Sequence, residues 1–201
     1  MDVQLHHVKE LPYLIIPNFY TKEESEIILN ALIDMNPYQW EKDGNKTGGA
    51  IDDDEEPLKH NYCLQLDKLL TPLGRKHNCI LRITNKIFDK DFLQKISDAH
   101  FFFEYVKNSN KDATFLNYYE KDCYYDFHYD TSVVTAISTF YKSPKKYTGG
   151  MFYLSKDNLD LENGSLLLFP SSIKHKASSV NCFENKQCSG RFSVAKLITC
   201  I

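Results

Sequence analysis

The stretch Asn163-Gly164-Ser165-Leu166-Leu167-Leu168-Phe169-Pro170 constrains this chain most. A turn dipeptide opens an apolar run with the composition of a strand buried on both faces. Upstream, Val133 to Tyr141 is rich in β-branched and aromatic residues and long enough for a core strand. Lys142 to Tyr147, holding Pro144, and Thr148-Gly149-Gly150 read as a loop into a further strand at Met151-Phe152-Tyr153-Leu154. Downstream, Gly190 to Ile198 alternates, with Arg191, Ser193 and Ala195 on one side. The second half of the chain therefore reads as successive strands of a β structure.

One polar grouping stands among these strands. In Phe127-His128-Tyr129-Asp130, residues two apart point to one side of an extended backbone, so His128 and Asp130 can face one ion. A lone His-x-Asp arises often by chance. A second histidine gives it weight, because Ser171-Ser172-Ile173-Lys174-His175 brings His175 to the start of a short strand, directly after the buried run. Two histidines and one carboxylate are the ligand set of a non-haem Fe(II) oxygenase with open coordination positions. Four thiolates or an all-oxygen cage would instead indicate zinc or calcium.

Arg191 on the last strand places a positive charge inside or at the rim of the same barrel. An unpaired buried guanidinium loses its hydration, and a dicarboxylate would repair that loss with two parallel hydrogen bonds. Ser193 or Thr139 can add a hydroxyl beside it. Taken singly, Arg191 reads as half of a surface ion pair; in order with His128, Asp130 and His175, it reads as an anion anchor.

Together, Tyr118-Tyr119, Tyr125 to Asp130, Gly149-Gly150, Phe169-Pro170-Ser171, His175 and Gly190-Arg191-Phe192-Ser193 resemble the 2-oxoglutarate and Fe(II)-dependent dioxygenases, in particular the prolyl-4-hydroxylase-like branch. The resemblance covers about residues 114 to 198. It implies a mainly β fold, a double-stranded β-helix (jelly roll) with helices packed against one sheet. It also implies iron held by His128, Asp130 and His175, and the distal carboxylate of 2-oxoglutarate held by Arg191. Tyr125 takes the place of a tyrosine lining the co-substrate pocket, Thr139 that of a hydroxyl partner for the same carboxylate, and either Tyr118 or Tyr119 that of a tyrosine on the preceding strand. The implied reaction uses O2, with ascorbate as a stimulant, to hydroxylate an unactivated C–H bond of a prolyl or other peptidyl residue. A free amino acid or small metabolite fits the same core. Asp130 argues against halogenation, since related halogenases replace that carboxylate with a small residue.

Three departures from the family pattern concern the loops. Glu120-Lys121-Asp122-Cys123-Tyr124 replaces a Gly-Pro-Gly type turn, Arg191 stands where some collagen-type members use lysine, and the interval from His175 to Arg191 is long enough for an extended hairpin shaping substrate access. Two other readings remain. The same ligands suit a zinc-dependent hydrolase, which needs a general base and gives Arg191 no reason to face inward. A non-catalytic jelly-roll binding module would keep the scaffold alone.

The 201 residues suit one catalytic domain, with 1–112 supplying N-terminal helices and supporting strands and 113–201 the oxygenase core. A net charge of −3 argues against general nucleic-acid binding, and the cluster Lys142, Lys145 and Lys146 reads equally well as a local basic patch or a solvated loop. No apolar run is long enough for a bilayer, and Met1 to His7 lacks the core of a signal peptide. The expectation is a cytoplasmic protein with no membrane partner, acting on a peptide or small molecule. The six cysteines have no zinc-ribbon spacing and read as reduced, although Cys182 and Cys188 suit a bridge under oxidation.

In the first half, Tyr13 to Ile16 reads as a strand. Thr21 to Glu24 forms a capping box for a helix with the stripe Ile27, Ile28, Ala31, Leu32 and Met35. Residues 41–57 read as a polar loop and a candidate lid. A second helix is expected from Pro57 with an apolar side at Tyr62, Leu66, Leu69 and Leu70, disturbed by Pro72, and a third from Asp91 to Val106. His6, His7, His60, His77 and His100 read as packing or surface residues. Trp40, Tyr124, Tyr141 and Tyr147 are candidate walls for a proline-rich peptide groove.

Overall fold

The structure is a computed structural model that describes residues 1–183 and 187–200. Strands β1 (Gln4–Val8) and β2 (Leu11–Ile16) form a hairpin, followed by helix α1 (Lys22–Asp34). Short strands β3 (Lys59–His60) and β4 (Tyr62–Gln65) come next, then helices α2 (Pro72–His77), α3 (Cys79–Thr84), α4 (Lys90–Ala99) and α5 (Glu104–Lys107). The chain then runs through β5 (Lys111–Tyr119), β6 (Tyr124–His128), β7 (Val134–Phe140), β8 (Tyr147–Gly149), β9 (Phe152–Leu154) and β10 (Asp157–Leu159). It ends with β11 (Leu166–Pro170), β12 (His175–Ala177), β13 (Val180–Cys182) and β14 (Arg191–Thr199).

Among the described residues these strands form a seven-stranded sheet ordered β1-β2-β11-β7-β14-β5-β4, a five-stranded sheet ordered β10-β9-β12-β6-β3, and a β13-β8 pair. Side-chain parity assigns each face. On β11, Leu166 and Leu168 join a core shared with Ile28 and Leu32 of α1, Ile80 of α3 and Phe92 and Ile96 of α4. Leu167 and Phe169 point the other way and pack with Phe152 and Leu154 of the smaller sheet. The run is apolar on both sides because helices cover one face of the large sheet and the small sheet covers the other. The same parity on β14 sends Phe192, Val194 and Ile198 to the helices, leaving Arg191, Ser193, Ala195 and Leu197 on the inner face, where they line a cavity.

Helix α1 starts at the capping box: the Thr21 hydroxyl accepts from the Glu24 N–H at 3.1 Å and the Glu24 carboxylate from the Thr21 N–H at 2.8 Å. Its buried side is Ser25, Ile28, Leu29 and Leu32, whereas Ile27 of the expected stripe is 42% exposed. The helix expected from Pro57 does not form. Lys59 to Gln65 is extended, β3 pairing Lys59 with Tyr125 and β4 pairing Tyr62 with Tyr118 and Cys63 with Asn117. The alternation of Tyr62, Leu64 and Leu66, which all pack into the helix-side core, outweighs the helical spacing of 62, 66, 69 and 70. Pro72 starts a helix rather than disturbing one: it is the first residue of α2, where Thr71 accepts from the Gly74 N–H at 3.1 Å.

The expected helix from 91 to 106 is broken at His100, whose extended backbone carries Nδ1 into a 3.1 Å bond from the Phe102 N–H. Strand β1 had no periodic signal, since Gln4-Leu5-His6-His7-Val8 is mostly polar and draws its order from pairing with β2. Trp40 is not a groove wall: it is 6% exposed and packs edge-on against Phe192. All six cysteines are free thiols. Residues 184–186 of the late interval lie outside the described residues, and no described helix is long and apolar enough to cross a membrane.

Candidate metal centre and active site

His128 ends β6 and His175 starts β12, and these adjacent antiparallel strands put the two residues directly opposite each other. Asp130 lies just beyond β6, in the turn that crosses to β7, and its N–H donates to the Ser171 carbonyl at 3.2 Å. One donor atom from each of the three residues falls within 4.8 Å of the others. His175 Nε2 lies 3.4 Å from Asp130 Oδ2 and His128 Nε2 lies 3.8 Å from Asp130 Oδ1.

The other ring nitrogens are committed. His128 Nδ1 lies 2.7 Å from the Asp126 carbonyl and His175 Nδ1 2.9 Å from the Ile173 carbonyl. A carbonyl accepts only, so each Nδ1 carries the proton and each Nε2 offers a lone pair to the shared space. Tyr125 stacks on His128 at 3.6 Å with the rings 7° from parallel, while Phe169 and Phe152 border His175. Asp130 is fixed by the Thr135 hydroxyl at 2.6 Å, and Ser171 bonds Thr135 at 2.8 Å and Ser132 at 2.7 Å.

Burial, and then repulsion from His175, lowers the His128 imidazole from 6.5 to about 4. Burial works against the Asp130 carboxylate, yet the adjoining His175 and the bond from the Thr135 hydroxyl hold its pKa below the ordinary value. Both effects favour neutral imidazole beside ionised carboxylate, the protonation state that binds a divalent cation.

These three side chains open into a cavity of about 100 Å³. Arg191 is 3% exposed; its guanidinium donates through Nη1 to the Gly150 carbonyl at 2.6 Å and lies over the Tyr119 ring at 4.5 Å. Its Nε has no hydrogen-bond partner, and neither has the buried hydroxyl of Thr139, the residue opposite Ser193 in the β7–β14 ladder. An orphaned guanidinium nitrogen and an orphaned hydroxyl on neighbouring strands fit a carboxylate as acceptor.

The structure thus brings together His128, Asp130, His175, Tyr119, Tyr125, Arg191 and Ser193 around one cavity, with Thr139 beside it. Parity separates the two tyrosines. Tyr119 faces the cavity, whereas Tyr118 points to the opposite face, where it packs on Tyr38, Tyr62 and Phe192. Tyr125 makes no bond to Arg191; its hydroxyl accepts from the Ala50 N–H at 2.9 Å and ties the loop 41–57 to the site. Lys59, Cys63, Asn117 and Phe152 also line the cavity and were missed. Alternation of 59, 61 and 63 was the available signal, hidden by the helical reading of that segment.

Solved structures share this fold. A prolyl-4-hydroxylase from Pseudomonas putida matches with a TM-score of 0.62 at 10% identity, over 94% of this chain and 92% of that one. A viral collagen prolyl hydroxylase from Paramecium Bursaria Chlorella virus-1, in a complex with 2OG, matches at 0.58 and 12% identity, over 94% and 96%. NgTET1 in complex with 5mC DNA matches at 0.57 and 14% identity, over 93% and 71%. No family model matches the sequence, and no curated protein does. At these identities the likeness establishes the fold.

Proposed function

We propose that this chain is an Fe(II)- and 2-oxoglutarate-dependent dioxygenase, built on a double-stranded β-helix, that hydroxylates an unactivated C–H bond. The observation that carries this reading is the pairing, inside one cavity, of a His128-Asp130-His175 ligand face with a buried Arg191 whose Nε lacks a partner. A metal alone explains the first and not the second. A metal with a dicarboxylate co-substrate explains both.

With Fe(II) and 2-oxoglutarate bound, the cofactors supply O2 activation coupled to conversion of 2-oxoglutarate to succinate. The protein's part is placement. His128, Asp130 and His175 would hold the metal from one side of the cavity. Arg191, with Thr139 and Ser193, holds the distal carboxylate, and Tyr119 covers the guanidinium. Ile137, Phe152 and Leu197 give the cavity dry walls, which limit competing reactions with water. A zinc hydrolase finds less support, because it gives the buried Arg191 on the cavity wall no anion to hold. The fold neighbours include proteins named for prolyl hydroxylation, so prolyl and other peptidyl residues are the first substrates to try, alongside free amino acids.

Anaerobic addition of Fe(II) and 2-oxoglutarate to the purified protein should produce a visible charge-transfer band, and oxygen should then yield succinate. His175→Ala should abolish both signals, while Arg191→Ala should keep the band only at raised 2-oxoglutarate. Wild-type protein giving neither band nor succinate would overturn the reading.

A further inference from the structure

Charge in the cavity does not balance once the cofactors are assigned. Arg191 meets the distal carboxylate of 2-oxoglutarate and Asp130 faces the metal. A second cation, Lys59, remains. It is 6% exposed and lines the same cavity, yet among the described residues no carboxylate forms an ion pair with it. A lysine this deep is normally paired, since an unpaired buried ammonium loses its hydration without return.

The placement of Lys59 is specific. It sits on β3, the edge strand of the small sheet, opposite Tyr125, with its Nζ 5.6 Å from the centre of the Tyr125 ring. The side chain reaches towards Cys63 on β4, the edge of the large sheet, where it counters the rise that burial imposes on the thiol. The loop 47–49 closes over its stem: a Cβ on Gly49 would lie 2.9 Å from Lys59 Cδ, so glycine is what lets the lysine pass inward. Arg191 is anchored elsewhere, on Gly150 and Tyr119. The two cations therefore have separate anchors within one cavity, and the Lys59 side adjoins the loop 41–57.

We propose that Lys59 seats a carboxylate of the substrate, so that this oxygenase acts on an acid, either a free amino acid or an acidic residue of a peptide. The inference rests on the dioxygenase reading and narrows its substrate class. A neutral prolyl peptide would leave the ammonium with the Cys63 thiol and the Tyr125 ring but no anion, whereas a carboxylate forms an ion pair with it. Lys59 is a positioning and specificity residue, held on a different sheet from the anchor of the co-substrate.

Calorimetry under anaerobic conditions tests this on the full chain loaded with Fe(II) and 2-oxoglutarate. One arm uses free L-amino acids and the other N-acetylated, C-amidated dipeptides containing Asp or Glu, each compared with its carboxylate-amidated counterpart. In at least one arm the acid should bind roughly 10-fold or more tightly than the amide, the loss expected for one charge-assisted bond. That ratio should fall to about one in Lys59→Met, while 2-oxoglutarate affinity stays within about two-fold of wild type. Lys59→Gln replaces the methionine variant if the latter does not fold.

An acid preference that persists without Lys59, or no acid preference in either arm, overturns the proposal. So does loss of 2-oxoglutarate affinity in Lys59→Met, which would assign the lysine to the co-substrate. Wild-type protein that takes up no 2-oxoglutarate fails at an earlier step and overturns the dioxygenase reading itself.

Discussion

The three ligand side chains are held by atoms that never touch the metal position. Thr135, itself bonded by Ser171, fixes the Asp130 carboxylate, and two backbone carbonyls fix the histidine rings. In the metal-free protein this arrangement makes stability depend on pH. His128 is lowered from 6.5 to about 4, burial first and His175 second, while the unfolded chain keeps the ordinary value. Between those two values the unfolded state binds more protons, so His128's contribution is fully present above pH 6.5 and is lost as pH falls towards 4. Asp130, also depressed, acts in the same direction at lower pH. The melting temperature of metal-free protein should drop as pH goes from about 7 to about 4.5, with a shallower drop in His128→Gln. Equal slopes in the two proteins would show that His128 is not buried in its neutral form. The grouping of His128, Asp130, His175 and Arg191 around one cavity was legible in the sequence because their chemistry lies in residue type and order. Thr135 and Ser171 were not, since hydroxyl residues in strands are common and only tertiary contact gives these two a partner.

At the scale of elements, Arg191 depends on a turn far from it in sequence. Gly149 and Gly150 adopt φ of 69° and 63°, and the Gly150 carbonyl accepts the guanidinium bond. A Cβ at Gly149 would lie 2.2 Å from the Ser179 carbonyl oxygen, where β8 pairs with β13. Gly149→Ala combines left-handed strain with that clash and should cost about 1–3 kcal/mol or more. Chemical denaturation would measure the loss, and weaker 2-oxoglutarate binding should accompany it because Gly150 moves with its neighbour. Unchanged stability would mean that the turn is free to shift. Elements with a one-sided or fully apolar code were readable in advance: β7, β11, β12 and β14 lie where alternation and the buried run put them. The segment 57–70 was not, because positions 62, 66 and 69 satisfy a helical stripe while 62, 64 and 66 satisfy a strand. Its place at the edge of both sheets is decided by β5 and β6, which the local pattern does not contain.

For the molecule as a whole, the site divides between the sheets. His128 and His175 belong to the five-stranded sheet, Asp130 to the turn between the sheets, and Arg191 to the seven-stranded sheet. On the proposed function a metal ion would tie one sheet to the crossing turn, and a co-substrate reaching Arg191 would tie the two sheets together. Ligands that bind only the folded state stabilise it by mass action, about 2.7 kcal/mol at a hundred times Kd. For a chain of this size that is a rise in melting temperature of roughly 5 to 11 °C. Under anaerobic conditions Fe(II) should raise the melting temperature, and 2-oxoglutarate should add a second increment only when metal is present. Arg191→Ala should keep the first increment and lose most of the second; His175→Ala should lose both. A 2-oxoglutarate shift of full size without metal would separate the two ligands and break the proposed link across the sheets. A metal shift of wild-type size in His175→Ala would place the ion outside the His128-Asp130-His175 face.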